Sequence, residues 1–261
     1  MLKSNRSLCP ALVGWTALLA VAPAWADDPA KTPASVTLAG RDAARQNPAP
    51  PAAQAPAAPS PGLVRLDESA EVWVDRQKHQ VVVGGAVVFR EGPLEMFACP
   101  KNTKEHESVV VVNAKAYLVH AALLAVGAKP GSPVSFQPKY KAAMGPIVKI
   151  EAMWKDKDGK EKRVNAQEWV RDVATKKAMK HDWVFAGSGF WKDPETGKSY
   201  YHAESGELIC VSNFSTATLD LTVNSSQANS DLLFEAFTEN IPELGTPVKL
   251  VLTPELEEKE K

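Results

Sequence analysis

The fold is indicated most directly by residues 80–90, QVVVGGAVVFR, in a chain of 261 residues. Valine, which dominates this run, favours strands because its branched Cβ packs well on a pleated surface. Gly84 and Gly85 interrupt the run, and glycine inside a strand predicts a bulge or a close approach of another backbone. The stretch therefore predicts a long β-strand with a special point at its centre.

Strand-like segments continue on both sides of this run, separated by turn signals such as Glu91-Gly92-Pro93. They cover residues 71–75, 94–99, 109–112, 147–154, 183–191, 198–203, 207–214 and 247–253. Two helices are predicted between them. The first covers residues 114–126, with Asn113 as its N-cap and Gly127 ending it, and the second covers about residues 166–179. The fold class predicted is α+β, with predominantly antiparallel β meanders, two amphipathic helices and a single domain.

The first 26 residues are typical of a secretory signal peptide. Lys3 and Arg6 precede an apolar run at residues 11–22, and Ala24-Trp25-Ala26 supplies the small residues that signal peptidase requires. We therefore expect an exported protein, periplasmic or associated with the cell envelope. No later apolar run approaches 18 residues, so no transmembrane segment is expected after signal cleavage.

Four segments divide the chain: the signal peptide, a Pro/Ala-rich linker, an ordered domain and a charged tail. The linker, residues 27–62, ends in PAPPAAQAPAAPSPG and lacks the large apolar side chains that offset the entropy of folding. It is predicted to be a disordered tether, with recognition of its proline-rich sequence as the alternative. The domain covers residues 63–254, and residues 255–261 form the tail.

The charge and cysteine content exclude two classes of protein. A formal net charge of −1, with both signs scattered along the chain, argues against a nucleic-acid-binding protein. Signal cleavage removes Cys9, so Cys99 and Cys210 remain, either as a disulfide or as two thiols. An iron–sulfur cluster is not expected, because a four-iron cluster normally takes four thiolates.

Cys99, His106 and His120 form a candidate metal site for Zn or Cu, with Glu107 as an outer partner. Cys99 and His106 would lie near each other if the flanking strands formed a hairpin. A metal site that used the Cys99 thiolate would exclude a Cys99–Cys210 disulfide. The alternative is a structural role for these residues. A histidine on an apolar helix face, such as His120, is often a core residue, and the segment around His106 would be the polar, solvated start of a strand.

Trp183, Trp191 and Tyr201 are candidates for a ligand groove, because aromatic rings present flat apolar faces with polar edges. The alternative is that these rings alternate into the core of a sheet. Metalloprotease, paired C-x-x-C and dinucleotide-binding signatures are missing, so no catalytic or cofactor-binding residue is assigned and the balance favours a non-enzyme.

Four segments together resemble the YdjY family of exported bacterial proteins: LEMFACPKNTKEHESVVVV, LVHAALLAVG, DWVFAGSGF and ELICVSNFSTATLD. The resemblance covers residues 63–254 and implies the domain limits, but no activity. The leading hypothesis is a non-catalytic binding or structural domain for an envelope partner or a small ligand. A metal-binding or redox protein is the alternative, and a polysaccharide-binding or carbohydrate-active protein ranks third.

Overall fold

Strands dominate the computed structural model, which describes residues 62–225 and 232–256. The predicted signal peptide, the predicted linker up to residue 61, and residues 226–231 and 257–261 lie outside the described residues. The strands are β1 (Val64–Arg65), β2 (Val72–Asp75), β3 (Gln80–Val87), β4 (Met96–Pro100), β5 (Ser108–Val112), β6 (Ile147–Lys155), β7 (Glu161–Asn165), β8 (Val170–Asp172), β9 (Trp183–Phe185), β10 (Phe190–Lys192), β11 (Ser199–Tyr201), β12 (Ile209–Cys210), β13 (Leu219–Leu221), β14 (Phe234–Ala236) and β15 (Pro247–Pro254).

Eight of these strands close into a barrel. Its order is β3, β15, β6, β9, β13, β12, β4 and β5, and β5 pairs again with β3. Closure gives each of these strands a neighbour on both sides, so the barrel leaves no free edge. Strands β1 and β2 extend the sheet from β3, and β7 pairs with β6. Two small sheets stand apart, β10 with β11 and β8 with β14.

The barrel closes at β3, the strand that residues 80–90 predict. One edge of β3 pairs with β15, while the other edge pairs first with β2 and then, from Gly85, with β5. A Cβ on Gly85 would lie 2.2 Å from the carbonyl oxygen of Val111 in β5. The predicted close approach of another backbone is therefore confirmed at Gly85, and it marks where β3 exchanges one partner strand for another.

The prediction of antiparallel meanders within an α+β class is wrong. Strands β4 and β5 are consecutive in the chain but pair in parallel, as do β12 and β13. Strand β3 pairs with β15, from the opposite end of the domain. Valine-rich runs identify strands through their local preference. They do not specify which strand is the partner, because that choice depends on closing the barrel.

The second predicted helix, at residues 166–179, is also wrong. Its first residues form a short 3₁₀ helix, Ala166–Trp169, and the next form β8, which pairs with β14. Trp169 and Val170 are adjacent and both fully buried, a pattern that a one-sided helix face does not give. Pairing with a distant strand overrides the local helix preference here.

The first predicted helix exists, with a shorter start, but the prediction that it is amphipathic is wrong, because its exposed face carries the apolar side chains of Tyr117 and Leu124. The structure has one α-helix in its described part, α1 (Ala116–Ala125). Lys115, not Asn113, occupies the N-cap position, while Gly127 has the positive φ of +101° that ends a helix. No helix among the described residues has the length and apolar content needed to cross a membrane.

Candidate binding groove

A groove of about 570 Å³ lies between α1 and the hairpin of β10 and β11. Its volume falls in the usual range of small-molecule sites, roughly 300 to 1,000 Å³. The lining combines aromatic rings with a few polar groups. These residues are Lys115, Tyr117, His120, Ala121, Leu124, Phe190, Ser199, Tyr200, Tyr201 and Glu204.

Four large apolar side chains of the groove are open to solvent. Tyr117 and Leu124 on α1 are each 46% exposed, and on the hairpin Phe190 is 67% exposed and Tyr200 47% exposed. Tyr117 and Leu124 stand two turns apart on the same helix face. Contiguous apolar patches of this kind are uncommon on soluble proteins and mark sites of interaction.

The floor of the groove is a hydrogen-bonded network around Tyr201. Nδ1 of His120 and the Tyr201 hydroxyl share a hydrogen bond of 2.8 Å. The same hydroxyl lies 3.1 Å from the carbonyl oxygen of Gly187 and 3.0 Å from the hydroxyl of Thr218. Burial raises the pKa of Tyr201 to about 12 and lowers the pKa of His120. Both side chains are therefore uncharged at neutral pH.

The two walls of the groove are joined by Glu204, in the 3₁₀ helix His202–Ser205 that follows β11. Its carboxylate accepts a hydrogen bond of 2.9 Å from the backbone N–H of Tyr117, in the first turn of α1. A carboxylate is favourable at a helix N-terminus, where the N–H groups lack intrahelical partners. Glu204 thus supplies the cap that Lys115 does not, and it fixes the helix wall against the hairpin wall.

The whole groove lies inside a region that matches a known family. Residues 72–253 match the family model of the YdjY domain. The chain belongs to the YdjY family. This confirms the resemblance carried by the K-E-H-E-S and L-V-H-A-A-L-L segments. No curated protein and no solved structure matches the chain, so the ligand must be argued from the residues of the YdjY domain itself.

The YdjY domain does not bring Cys99, His106 and His120 together. Cys99 is fully buried in β4, whereas the side chain of His106 is 77% exposed and His120 packs against Phe185 and Tyr201. Because β4 and β5 run parallel, the hairpin that would have joined Cys99 to His106 is absent. Within the described residues, no three His, Cys, Asp or Glu side chains are placed to hold a metal ion.

Glu107 is engaged with a lysine. Its carboxylate lies 3.0 Å from Nζ of Lys104, which also lies 3.5 Å from Glu95 and 3.8 Å from Glu207. Burial and the charge of Glu107 together raise the pKa of Glu95. Burial alone would lower the pKa of Lys104, but the three carboxylates outweigh burial and raise it. The cluster is an ion-pair network that holds the segment between β4 and β5.

Cys99 and Cys210, the two cysteines in the described part of the chain, are separate, buried thiols. Sγ of Cys210 lies 3.5 Å from Sδ of Met96, its neighbour across strands β12 and β4. Burial raises the pKa of both thiols, so neither resembles an activated nucleophile.

Of the three residues predicted to form a ligand groove, only Tyr201 lines it. Trp183 is fully buried and donates its indole N–H to the carbonyl of Cys210 at 2.8 Å. Trp191 is 48% exposed and packs against Tyr200, outside the lining. The wall formed by α1 was not predicted, although a helix that is apolar on two faces indicates a second contact surface.

Proposed function

We propose that this YdjY domain is an exported, non-catalytic binding domain of the cell envelope, and that its groove binds a polysaccharide strand. The signal-peptide features of residues 1–26 support export. The observation that carries the binding role is the groove, in which three exposed aromatic rings surround an uncharged, hydrogen-bonded floor.

A sugar ring presents an apolar C–H face and polar hydroxyl edges, and the groove offers a counterpart to each. The rings of Tyr117, Phe190 and Tyr200 are available for stacking. Lys115 and Ser199 add polar groups at the lining, where hydroxyls need hydrogen-bond partners. The floor formed by His120 and Tyr201 is neutral and hydrogen-bonded, which favours sugar hydroxyl groups, and Lys115 adds a cation at the lining.

The same residues support binding without catalysis. Glycoside hydrolysis normally uses two carboxyl groups on opposite sides of the bond. In the described part of the chain, Glu204 is the one carboxylate that lines the groove, and it is engaged in capping α1. A general acid or base works best with a pKa near the working pH, whereas the pKa of Tyr201 is about 12.

The test is retention of the purified protein on isolated peptidoglycan sacculi. The Tyr117→Ala, Tyr200→Ala double variant is expected to reduce the affinity by about tenfold or more, since each aromatic stacking contact contributes roughly 0.5 to 1.5 kcal/mol beyond its buried area. Phe136→Ala is the matched control, because Phe136 is 47% exposed and does not line the groove. Absence of retention, or retention equal in both variants, would refute the proposal.

A further inference from the structure

A second exposed surface lies outside the groove, on a hairpin at residues 132–144, SPVSFQPKYKAAM, which we call the basic hairpin. Backbone hydrogen bonds join Ser135 to Lys141, so Phe136 and Tyr140 flank its tip. The rings of Phe136 and Tyr140 lie 6.1 Å apart. We propose that this tip docks the domain on the surface of an anionic lipid bilayer. The inference goes beyond the polysaccharide groove and does not depend on it.

Charge is distributed unevenly along the chain, and an excess of positive charge falls on this part of it. Residues 108–150 contain five lysines and no aspartate or glutamate, although the whole chain has a formal net charge of −1. Lys139 and Lys141 stand at the tip and are exposed. Lys149 pairs with Glu255 at 3.0 Å, whereas neither lysine of the tip has an ion pair within the described part of the chain. The tip therefore presents two cations to an approaching anionic surface.

Exposed apolar groups accompany these cations. Phe136 is 47% exposed, Tyr140 is 37% exposed, and Met144, three residues beyond Lys141, is 65% exposed. Rings beside lysines are typical of segments that bind at a membrane interface, where the rings enter the boundary between head groups and acyl chains. Lysine ammonium groups stay with the head groups while their methylene chains cover apolar surface. This combination fits a bilayer better than a soluble polyanion, which offers nothing apolar to the rings.

The basic hairpin is packed on the barrel, and this contact fixes the position of its tip. Val134 and Ala143 are buried in one apolar cluster with Val184 of β9. The hydroxyl of Tyr140 donates a hydrogen bond of 3.2 Å to Oδ1 of Asn213, whose side chain is fully buried. A surface that is ordered before it binds loses little conformational entropy on binding. The tip can therefore attach to a bilayer without refolding.

Two lysines and one ring are sufficient for reversible attachment. Each lysine near an anionic bilayer surface strengthens binding by about fivefold. Phe136, with 47% of its surface exposed, adds about three- to tenfold when that part leaves water. Salt should weaken the attachment, because exposed charges are screened beyond about 10 Å at 0.1 M ionic strength.

The test is co-sedimentation of residues 27–261, the chain without its predicted signal peptide, with vesicles of phosphatidylcholine mixed with phosphatidylglycerol. We expect binding to these vesicles and little binding to vesicles of phosphatidylcholine alone. Lys139→Gln with Lys141→Gln should weaken the binding by about 30-fold, and Phe136→Ala by about three- to tenfold. Thermal unfolding should show that both variants stay folded, because the substituted side chains are exposed.

The matched control removes the same charge from two other exposed lysines, Lys160 and Lys177, which also have no ion pair among the described residues. Lys160→Gln with Lys177→Gln should weaken the binding by less than about threefold, because the attraction of the bilayer surface falls off within a Debye length. An equal loss in the control, or no binding to the anionic vesicles, would overturn the inference. A loss in the variant of Lys139 and Lys141 without any loss in Phe136→Ala would indicate a site for a soluble polyanion, and would overturn it too.

Retention on sacculi separates this inference from the proposed function. Phe136→Ala should bind sacculi as the unaltered chain does, and the Tyr117→Ala, Tyr200→Ala variant should bind the anionic vesicles as the unaltered chain does. Binding of sacculi without binding of vesicles refutes the bilayer surface and leaves the polysaccharide site standing. Binding of vesicles without binding of sacculi supports the bilayer surface and refutes the polysaccharide site.

Discussion

The barrel core and the groove use the same kind of residue for different purposes. Trp183 in β9 is fully buried, with its ring 5.4 Å from that of Phe97, whereas Phe190, a few residues later in β10, is 67% exposed. The difference lies in the partner strands. Strand β9 belongs to the closed barrel, while β10 has β11 as its one partner among the described strands. The barrel strand therefore places its ring in the core, whereas the β10–β11 hairpin leaves Phe190 and Tyr200 open to solvent and buries only Tyr201 among its tyrosine and phenylalanine rings.

Substitutions in the barrel core and in the groove should therefore change the free energy of unfolding by different amounts. A ring that is packed inside the barrel contributes buried apolar area, which stabilises by about 25 cal/mol per Å². A ring that remains exposed in the groove contributes little before a ligand covers it. Variants in the core should therefore change the free energy of unfolding, and variants in the groove should change binding.

The largest effect is expected for Trp183→Ala. Removing this ring leaves a cavity beside Phe97 and breaks the hydrogen bond to the Cys210 carbonyl. The free energy of unfolding should fall by about 3 to 5 kcal/mol, as measured by chemical denaturation. Trp191→Ala, which removes an exposed ring of the same type, should change it by less than about 0.5 kcal/mol. Equal losses in the two variants would contradict the difference between buried and exposed rings. Trp183→Phe provides a milder variant if the alanine variant does not fold.

The next effect concerns Asp220, a carboxyl group buried in the barrel wall. Burial raises its pKa to about 7, although its carboxylate accepts hydrogen bonds from the Asn213 side chain and from the backbone N–H groups of Phe214 and Leu221. Between pH 4 and 7 the folded state therefore binds this proton more tightly than the unfolded state. The free energy of unfolding should fall as pH rises through that window, by on the order of 4 kcal/mol.

Asp220→Asn is the control for this pH dependence, because asparagine does not titrate. The difference between the two unfolding curves, measured by denaturation from pH 4 to 8, isolates the carboxyl group. Carboxylates with lowered pKa values, such as Asp75 and Asp172, act in the opposite direction and at lower pH in both proteins. A difference that stays constant with pH would show that Asp220 is ionised throughout.

Gly85→Ala tests the point at which the barrel closes. The added Cβ would meet the backbone oxygen of Val111 at 2.2 Å, so β3 and β5 must separate locally. We expect a loss of about 1 to 3 kcal/mol, the usual range for an overpacked core, measured as a lower denaturation midpoint. An unchanged midpoint would show that the junction of β3 and β5 is loose.

The smallest effect on stability is expected for Tyr117→Ala with Tyr200→Ala. Both rings are about half exposed, and exposed substitutions usually change stability by less than about 0.5 kcal/mol each. Thermal unfolding of the double variant should stay within a few degrees of the unaltered chain. A loss as large as that of Trp183→Ala would mean that the groove rings belong to the core.

Local sequence patterns predicted the positions of most strands and of α1, but they predicted little of how the strands pair. Residues 80–90 predicted β3 and its close approach at Gly85, and Gly127 predicted the end of α1, because both depend on backbone preferences within a few residues. Residues 166–179 were predicted as a helix and form β8 in part, because β14 provides a strand partner. Parallel pairing of β4 and β5 likewise left no local signature.

The candidate site shows the same limit. The aromatic content of residues 183–202 indicated a groove, and Tyr201 lies in its floor. The division between buried Trp183 and exposed Tyr200 could not be read from the sequence, since it depends on which strands pair with β9 and with β11. Tyr117 was missed because its role depends on Glu204, which joins α1 to the hairpin across the fold.

The sequence by itself determined the family, the positions of most strands and the position of α1, because these follow from residue preferences and short motifs. Only the tertiary structure decided that the strands close into a barrel, that Cys99, His106 and His120 point into different surroundings, and that α1 faces the hairpin. The physical reason is that strand pairing and burial are set by contacts between residues distant in the chain.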